Sequence, residues 1–246
     1  MLQVVLALLV GIVGADAATE FRTVSDGIAY ARFDGAAGVT GHAFEIALDR
    51  AQVRLVPAGA RGVRQQVDRI AATYPVHVAV NASFFDEGGN AIGEAVSEGR
   101  RVGGRVNRRW GALVVEGQQA RIVTGDGTPA SGDVVVQGLP RLLVSGAVPS
   151  LKPQTAQRTA VCAAAARLVI VIATEPVEAV AFARFLARPR ADSGLGCVDA
   201  LNLDGGSSTQ LSVRLPGLTL DEPGAWGVPN ALVVVPGATR VGAAGP

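Results

Sequence analysis

The chain has 246 residues, a formal net charge of +1 and 49% hydrophobic residues. This length fits one large domain or two small ones, and the composition allows a sizeable core of mainly aliphatic residues. The balanced charge gives no reason to expect nucleic-acid binding, because there is no surplus of cations to displace counterions from phosphates.

The N-terminus is typical of a secretory signal. Residues 4–13 form an apolar run of h-region length, and Ala15-Asp16-Ala17 is a small-x-small cleavage pattern that predicts maturation before Ala18. No Lys or Arg precedes the run, so a buried first strand or a misassigned start codon is the alternative. The run is too short to span a bilayer, and we expect no membrane span. Residues 1–17 are therefore the predicted signal peptide, and residues 18–246 the exported domain, periplasmic or secreted.

Short apolar runs separated by Gly, Pro, Asp and Asn turns predict many strands along the chain. They lie at residues 28–33, 42–48, 52–56, 76–80, 112–115, 121–123, 134–137, 141–144, 159–163, 168–172, 200–203, 210–213 and 231–235. Residues 168–172 are apolar without alternation, which is typical of a central strand covered on both faces.

Two segments have the apolar spacing of helices. Residues 62–74 are followed by Pro75, and residues 176–187 have Pro176 in the first turn, with Thr174 or Glu175 as the cap. The predicted buried faces are Val63, Val67, Ile70 and Ala71 in the first and Val177, Val180, Ala181 and Phe185 in the second. We therefore expect an α+β (mixed α/β) fold: a single domain with a central mixed β-sheet, two main helices packed on it and peripheral β-hairpins.

The strongest chemical signal is the loop Asp204-Gly205-Gly206-Ser207-Ser208, which follows an apolar strand. A strand that ends in a carboxylate, then two glycines, then hydroxyls suits a site where a substrate approaches the backbone closely. Consecutive N–H groups in such a turn can form an anion-binding concavity. The alternative is a tight hairpin in which Asp204 caps an Asp-Gly turn.

A second signal follows the strand that ends at Asn81, whose amide offers a donor and an acceptor in fixed positions. Phe84 and Phe85 would wall a pocket or belong to the core. Residues 86–90 are expected to form a solvated turn. This turn contains oxygen ligands that calcium uses, but it lacks EF-hand spacing. No cofactor is therefore predicted, and a divalent cation such as calcium is the alternative.

Arg158 and Thr159 begin an otherwise apolar strand. A buried arginine needs a partner, and the sequence leaves open Asp204, a substrate phosphate or a structural ion pair. Cys162 and Cys197 are the only cysteines. We expect them to form a disulfide, with two buried free thiols as the alternative, and this requires Cα atoms within about 7 Å.

Taken in order, these motifs resemble those of the phosphodiester glycosidase family, which includes the lysosomal uncovering enzyme. The similarity runs from about Gly27 to Pro236. The matching motifs are Asn81 with Phe84-Phe85-Asp86, the Gly93 segment, Trp110-Gly111-Ala112, Gln137 with Pro140-Arg141-Leu142, Arg158-Thr159-Ala160, and Asn202-Leu203-Asp204-Gly205-Gly206-x-Ser208. One departure is visible: Ser207 stands where the family usually has a third glycine, which leaves substrate and activity open.

The resemblance implies hydrolysis of the glycosidic bond of a sugar-1-phosphodiester. Asp204 is the expected principal carboxylate and Glu94 the second, with Asp86 and Glu98 as weaker candidates, while Arg158 and the Gly205-Gly206 amides would hold the departing phosphate. The residues expected to contact the substrate are Asn81, Phe85, Thr159, Gly205, Gly206, Ser207 and Ser208, with Trp110 or Trp226 stacking on a sugar. The alternatives are a non-catalytic glycan- or cell-wall-binding protein on the same fold and a metal-dependent phosphodiesterase.

Overall fold

The computed structural model describes residues 18–129 and 132–237. The predicted signal peptide lies outside the described residues. Within them, the strands are Arg22–Ser25 (β1), Ile28–Ala36 (β2), Val39–Ala47 (β3), Ala51–Pro57 (β4), His77–Asn81 (β5), Ala95–Ser97 (β6), Arg100–Arg101 (β7), Gly111–Glu116 (β8), Gln119–Thr124 (β9), Val134–Gly138 (β10), Arg141–Leu143 (β11), Thr155–Ala164 (β12), Arg167–Glu178 (β13), Ala200–Asn202 (β14), Leu211–Leu215 (β15), Leu218–Glu222 (β16) and Asn230–Pro236 (β17). The α-helices are Val67–Ala71 (α1) and Ala179–Ala187 (α2).

Three antiparallel sheets form the fold. The first has seven strands in the order β1-β2-β3-β13-β12-β14-β11. The second has the order β7-β6-β10-β8-β9 and the third the order β16-β15-β5-β17-β4. The molecule is therefore more sheet-dominated than the predicted α+β description, and in place of one central mixed sheet the described strands pair antiparallel throughout.

The largest hydrophobic core lies where the three sheets face one another. Ile170 comes from the first sheet, Leu113 from the second and Leu232 from the third, and all three side chains are fully buried. The strand β13 has one face in this core and the other, at Val169 and Val171, in a second core beneath α2. The prediction of a central strand covered on both faces is confirmed, although a facing sheet supplies half of the cover.

The helix α1 is much shorter than predicted. Residues 62–66 are not helical, and Gln65 instead forms a bridge with Val228. The helix begins at Val67, whose N–H donates to the Gln210 side-chain oxygen at 2.9 Å. Val63 is 40% exposed and does not share the buried face of the helix with Ile70. A tertiary contact thus determines where this helix starts, rather than the local apolar spacing.

The helix α2 begins three residues later than predicted, because β13 continues through Pro176 to Glu178 in its pairing with β12. Glu178 is the N-cap and accepts hydrogen bonds from the N–H groups of Val180 and Ala181 at 2.8 and 3.0 Å. The later start rotates the buried face. It consists of Ala179, Phe182, Ala183, Phe185 and Leu186, so Phe185 is the one residue of the predicted buried face that belongs to it.

The predicted disulfide between Cys162 and Cys197 is present, with a Cα–Cα distance of 5.9 Å. It joins β12 to the segment that leads into β14, the strand directly before Asp204. None of the helices in the described ranges is both long and apolar enough to cross a bilayer.

Candidate active site

Two sheets meet where β5 and β14 end, and the Asn81 side chain joins them. Its Nδ2 donates to the backbone oxygen of Asp204 at 2.7 Å. Its Oδ1 accepts from the Thr159 hydroxyl at 2.7 Å and from the Gln210 N–H at 3.1 Å. The side chain is fully buried, so the structure brings together the Asn81, Thr159 and Asp204 segments that the sequence placed far apart.

Asp204 is held at this junction by its backbone and leaves its carboxylate half-buried. Its N–H donates to the Ala82 oxygen at 3.1 Å, and its Oδ1 accepts from the Gly205 N–H at 2.9 Å. Burial raises the pKa of Asp204 above its ordinary value, and hydrogen bonds from the Ser208 side chain and the Gly205 N–H oppose that rise. A carboxyl group with a raised pKa in a turn is a candidate for proton transfer.

Glycine is required at Gly205 and favoured at Gly206 for different structural reasons. A Cβ on Gly205 would lie 2.9 Å from the Gln157 backbone oxygen, so a larger residue would push the loop away from β12. Gly206 has a φ of +60°, a left-handed conformation that glycine adopts without strain. Ser207 does not have a positive φ, so the serine at this position is compatible with the backbone of the turn.

The N–H groups of the turn at Gly206–Ser208 differ in whether they have an acceptor within the described residues. The N–H groups of Ser208 and Thr209 donate to the oxygens of Gly205 and Gly206, at 3.2 and 3.0 Å. The N–H groups of Gly206 and Ser207 have no acceptor among the described residues. Consecutive unbonded amides next to glycine are the arrangement that binds anions in a backbone concavity.

Arg158 lies beneath the loop, with different partners from those that the sequence suggested. It is 2% exposed, and its guanidinium donates to the backbone oxygens of Val177 and Gln154 and to Asn202 Oδ1. No carboxylate within the described ranges lies within ion-pair distance of it, Asp204 included. Burial lowers the pKa of this guanidinium, against a nearby Glu178 that raises it. The residue is therefore built into the support of β14.

Glu94 also has other partners than Asp204. It is fully buried, and its Oε1 accepts from Arg101 Nε at 2.7 Å, while its Oε2 has no hydrogen-bond partner among residues 18–129 and 132–237. Gln137 binds its backbone, accepting from the Glu94 N–H at 2.8 Å and donating to its oxygen at 2.9 Å. The weaker candidates lie elsewhere: Asp86 bonds Asn90 in the predicted exposed turn, and Glu98 pairs with Arg54.

The aromatic candidates divide between the interior and the loop. Phe85 is half-buried beside Arg64, and Phe84 contacts Trp110 with ring centroids 5.4 Å apart. Trp226 is 58% exposed, and its backbone N–H donates to the Ser207 backbone oxygen at 3.2 Å. The backbone of an exposed tryptophan therefore contacts the candidate loop.

Gln210 is a residue of the site that sequence reasoning missed. It is buried, and its Nε2 donates to the backbone oxygens of Trp226 and Ser208, at 2.8 and 3.3 Å. The available signal was a polar residue between the hydroxyl-rich loop and the strand that starts at Leu211. The described residues contain no group of three or more His, Cys, Asp or Glu side chains placed to hold a metal ion.

Comparisons with known proteins give the family and the fold of this chain. The sequence profile described as phosphodiester glycosidase matches residues 74–235. A hypothetical protein from Synechocystis has a similar structure, with a TM-score of 0.62 and 17% identity; the alignment covers 85% of this chain and 62% of that one.

A second similar structure is the catalytic domain of zebrafish N-acetylglucosamine-1-phosphodiester alpha-N-acetylglucosaminidase, auto-inhibited by its pro-peptide. Its TM-score is 0.63 and its identity 19%, with 87% of this chain and 85% of that one covered. At these identities the structures show a shared fold. No curated protein sequence matches the chain significantly. The family profile covers well over half of the chain, and the chain therefore belongs to the phosphodiester glycosidase family.

Proposed function

We propose that the chain is an exported hydrolase that cleaves the glycosidic bond of a sugar-1-phosphodiester, with Asp204 as its principal carboxylate. One observation carries this proposal: a half-buried carboxyl group with a raised pKa lies in the same turn as the two unbonded N–H groups of Gly206 and Ser207. The carboxylate suits proton transfer to or from water, and the amides suit an anionic phosphate. The disulfide supports export, because such bonds persist in oxidising compartments.

In the proposed reaction, water attacks the anomeric carbon of the sugar and loses a proton to the Asp204 carboxylate. The bond between that carbon and the bridging oxygen breaks, and its electron pair leaves with the phosphate monoester. The departing group is already a stabilised anion, so hydrogen bonds from the Gly206 and Ser207 amides replace much of what a general acid does in other glycosidases. Free sugar and a phosphate monoester are the products.

The buried residues around the turn hold its backbone in place. We propose that Asn81, Thr159 and Arg158 are positioning residues, because their polar atoms bond to the protein rather than facing the turn. Glu94 is bound to Arg101, so the proposed mechanism depends on Asp204 and the amides. Trp226 is proposed to stack on the sugar, since an exposed tryptophan whose backbone contacts the turn offers an apolar ring face.

A substrate with 4-nitrophenol as the second alcohol of the phosphodiester tests the proposal and distinguishes it from a phosphodiesterase. Cleavage on the sugar side releases free sugar and colourless 4-nitrophenyl phosphate, which yields colour only after added phosphatase. Cleavage on the other side releases nitrophenol at once. N-acetylglucosamine is the first sugar to use, because the zebrafish relative is named for it. We expect colour that depends on phosphatase, which is added with excess metal after the hydrolase has been inactivated. The amount of 4-nitrophenyl phosphate formed should be the same when the hydrolase is incubated with a chelator.

The variant Asp204→Asn should lower turnover by about 10²-fold or more, the scale of losing proton transfer in the transition state. Asp199→Asn is the matched control, because that carboxylate is paired with Arg141 outside the turn. Unchanged turnover in the Asp204 variant would remove it from the mechanism. Direct nitrophenol release that a chelator abolishes would favour a metal-dependent phosphodiesterase, and binding without turnover across a panel of sugars would favour a glycan-binding protein.

A further inference from the structure

A cavity of about 570 Å³ opens at the same edge of the third sheet as Asn81. Pro57, at the end of β4, and Pro229, directly before β17, form its floor. Three arginines, Arg61, Arg101 and Arg105, line its walls together with glycine-rich loop segments. No part of the proposed mechanism uses this cavity.

The charges of the cavity are of one sign. Its lining contains no Asp or Glu. Arg61 donates to the neutral Asn90 Oδ1 at 2.9 Å, and Arg105 has no hydrogen-bond or ion-pair partner in the described part of the chain. Arg101 is paired with the fully buried Glu94. Arg61 lies near enough to Asp86 to help lower the pKa of that exposed carboxyl. Arg105 is therefore the cationic side chain of this concave site that has no partner among the described residues, although the net charge of the whole chain is only +1.

The cavity lies close to the Asp204 turn by two separate measures. Asn81 pairs with Ala231 of β17, and Asn230 pairs with Pro57 of β4, so two strand spacings, about 10 Å, separate Asn81 from the cavity floor. The segment from Trp226 to Pro229 also connects them. Trp226 bonds to Ser207, and three Cα steps to Pro229 span at most about 11 Å.

We propose that this cavity binds a second anionic group, a phosphate or a carboxylate, on the leaving-group side of the phosphodiester substrate. This inference rests on the proposed function and specifies its substrate class. In this proposal the sugar lies beside Trp226, the scissile phosphate lies at the Gly206 and Ser207 amides, and the leaving group extends toward Pro229. Guanidinium groups bind phosphate and carboxylate in a bidentate manner, and Glu94 orients one of them by holding Arg101.

Two substrates that differ by one phosphate group test the proposal: sugar-1-phosphodiesters whose leaving alcohol is glycerol or glycerol 3-phosphate. We expect the wild type to prefer the charged substrate at least tenfold in kcat/KM at low salt, with the preference falling as salt screens the arginines. The double variant Arg61→Ala/Arg105→Ala should bring the ratio close to one. The matched control is Arg32→Ala/Arg50→Ala, two exposed arginines on or next to the first sheet, which should retain the wild-type ratio.

Binding of sodium tripolyphosphate, measured by calorimetry, separates this inference from the proposed function. We expect Asp204→Asn to bind tripolyphosphate as the wild type does, and the Arg61/Arg105 variant to bind it at least tenfold more weakly. If neither sugar substrate is hydrolysed but this difference holds, the anion site stands and the proposed function fails. A kcat/KM ratio near one in the wild type, a ratio unchanged in the double variant, or equal tripolyphosphate binding would overturn the inference.

Discussion

The Asn81 carboxamide has three hydrogen-bond partners, and each belongs to a different segment: the Asp204 loop, β12 and the start of β15. Gln210 extends the same network to Trp226 and to the first N–H of α1. A hydrogen-bonded network of neutral amides positions groups without the desolvation cost that buried ion pairs carry. The candidate turn is therefore held by directional bonds, and no cation in the described part of the chain lies within ion-pair distance of its carboxylate.

The Ser208 side chain and the Gly205 N–H both oppose the rise that burial causes in the pKa of Asp204. The hydrogen bond from Ser208 stabilises the ionised carboxylate and so opposes the effect of burial. If Asp204 acts as the base, activity falls as the pH drops through its pKa, and Ser208→Ala should move that acid limb to higher pH. The measurement is kcat/KM from about pH 4 to about pH 8.

Ser207→Ala is the matched control for this shift, because Ser207 is the adjacent hydroxyl and is not among the groups that change the pKa of Asp204. It should leave the acid limb in place whatever it does to the rate. An acid limb at the same pH in the wild type and in Ser208→Ala would show that another group titrates.

At the level of secondary-structure elements, the sequence predicted most strands and misplaced both helix starts. Alternating apolar residues identify a strand with one buried face, because successive side chains point to opposite faces of the sheet. A short continuous apolar run identifies a strand that is buried on both faces. The start of α1 depends on Gln210, more than a hundred residues away, and the start of α2 on how far β13 pairs with β12. Neither contact is present in the local pattern that predicts a helix.

The same limit applies to the site. The loops after Asn81 and Leu203 could be predicted as neighbours because both end buried strands with matching family motifs. The partners of Arg158 could not be predicted from the sequence. Its guanidinium donates to the backbone oxygens of Val177 and Gln154, and the β12–β13 register is irregular between Ala156 and Arg158, just before this residue. Every residue has a backbone oxygen, so the sequence does not show which oxygens an arginine will bind. An arginine that binds backbone oxygens therefore cannot be distinguished by sequence from one that binds an anionic ligand.

The disulfide joins two elements that support the candidate site, and its removal should weaken the fold. Cys162 and Cys197 are 35 residues apart, and a cross-link over such a loop contributes about 3–4 kcal/mol in the chain-entropy estimate. We expect Cys162→Ala/Cys197→Ala to lose about this much free energy of unfolding in denaturant titrations. Wild type with a reducing agent should behave like the double variant. Equal unfolding free energies for the oxidised wild type and the variant would contradict this.

At the level of the whole molecule, the three sheets share one core, so we expect them to unfold together. Leu113 of the second sheet is fully buried among side chains of the other two. Leu113→Ala should therefore destabilise all three sheets, by about 2–5 kcal/mol, through lost burial and the cavity left behind. Val198→Ala is the control, because this valine is 56% exposed and its truncation should change stability little.

The two tryptophans make this prediction specific, because each reports on a different sheet. Trp110 directly precedes β8 of the second sheet, and Trp226 lies between β16 and β17 of the third. In the single-tryptophan variants Trp110→Phe and Trp226→Phe, both fluorescence transitions should have the same midpoint, and Leu113→Ala should shift both equally. If the sheets were independent units, Leu113→Ala would move the Trp110 transition and leave that of Trp226 in place. A shared transition would also mean that the Asp204 turn, which depends on contacts between the first and third sheets, persists only while all three sheets are folded.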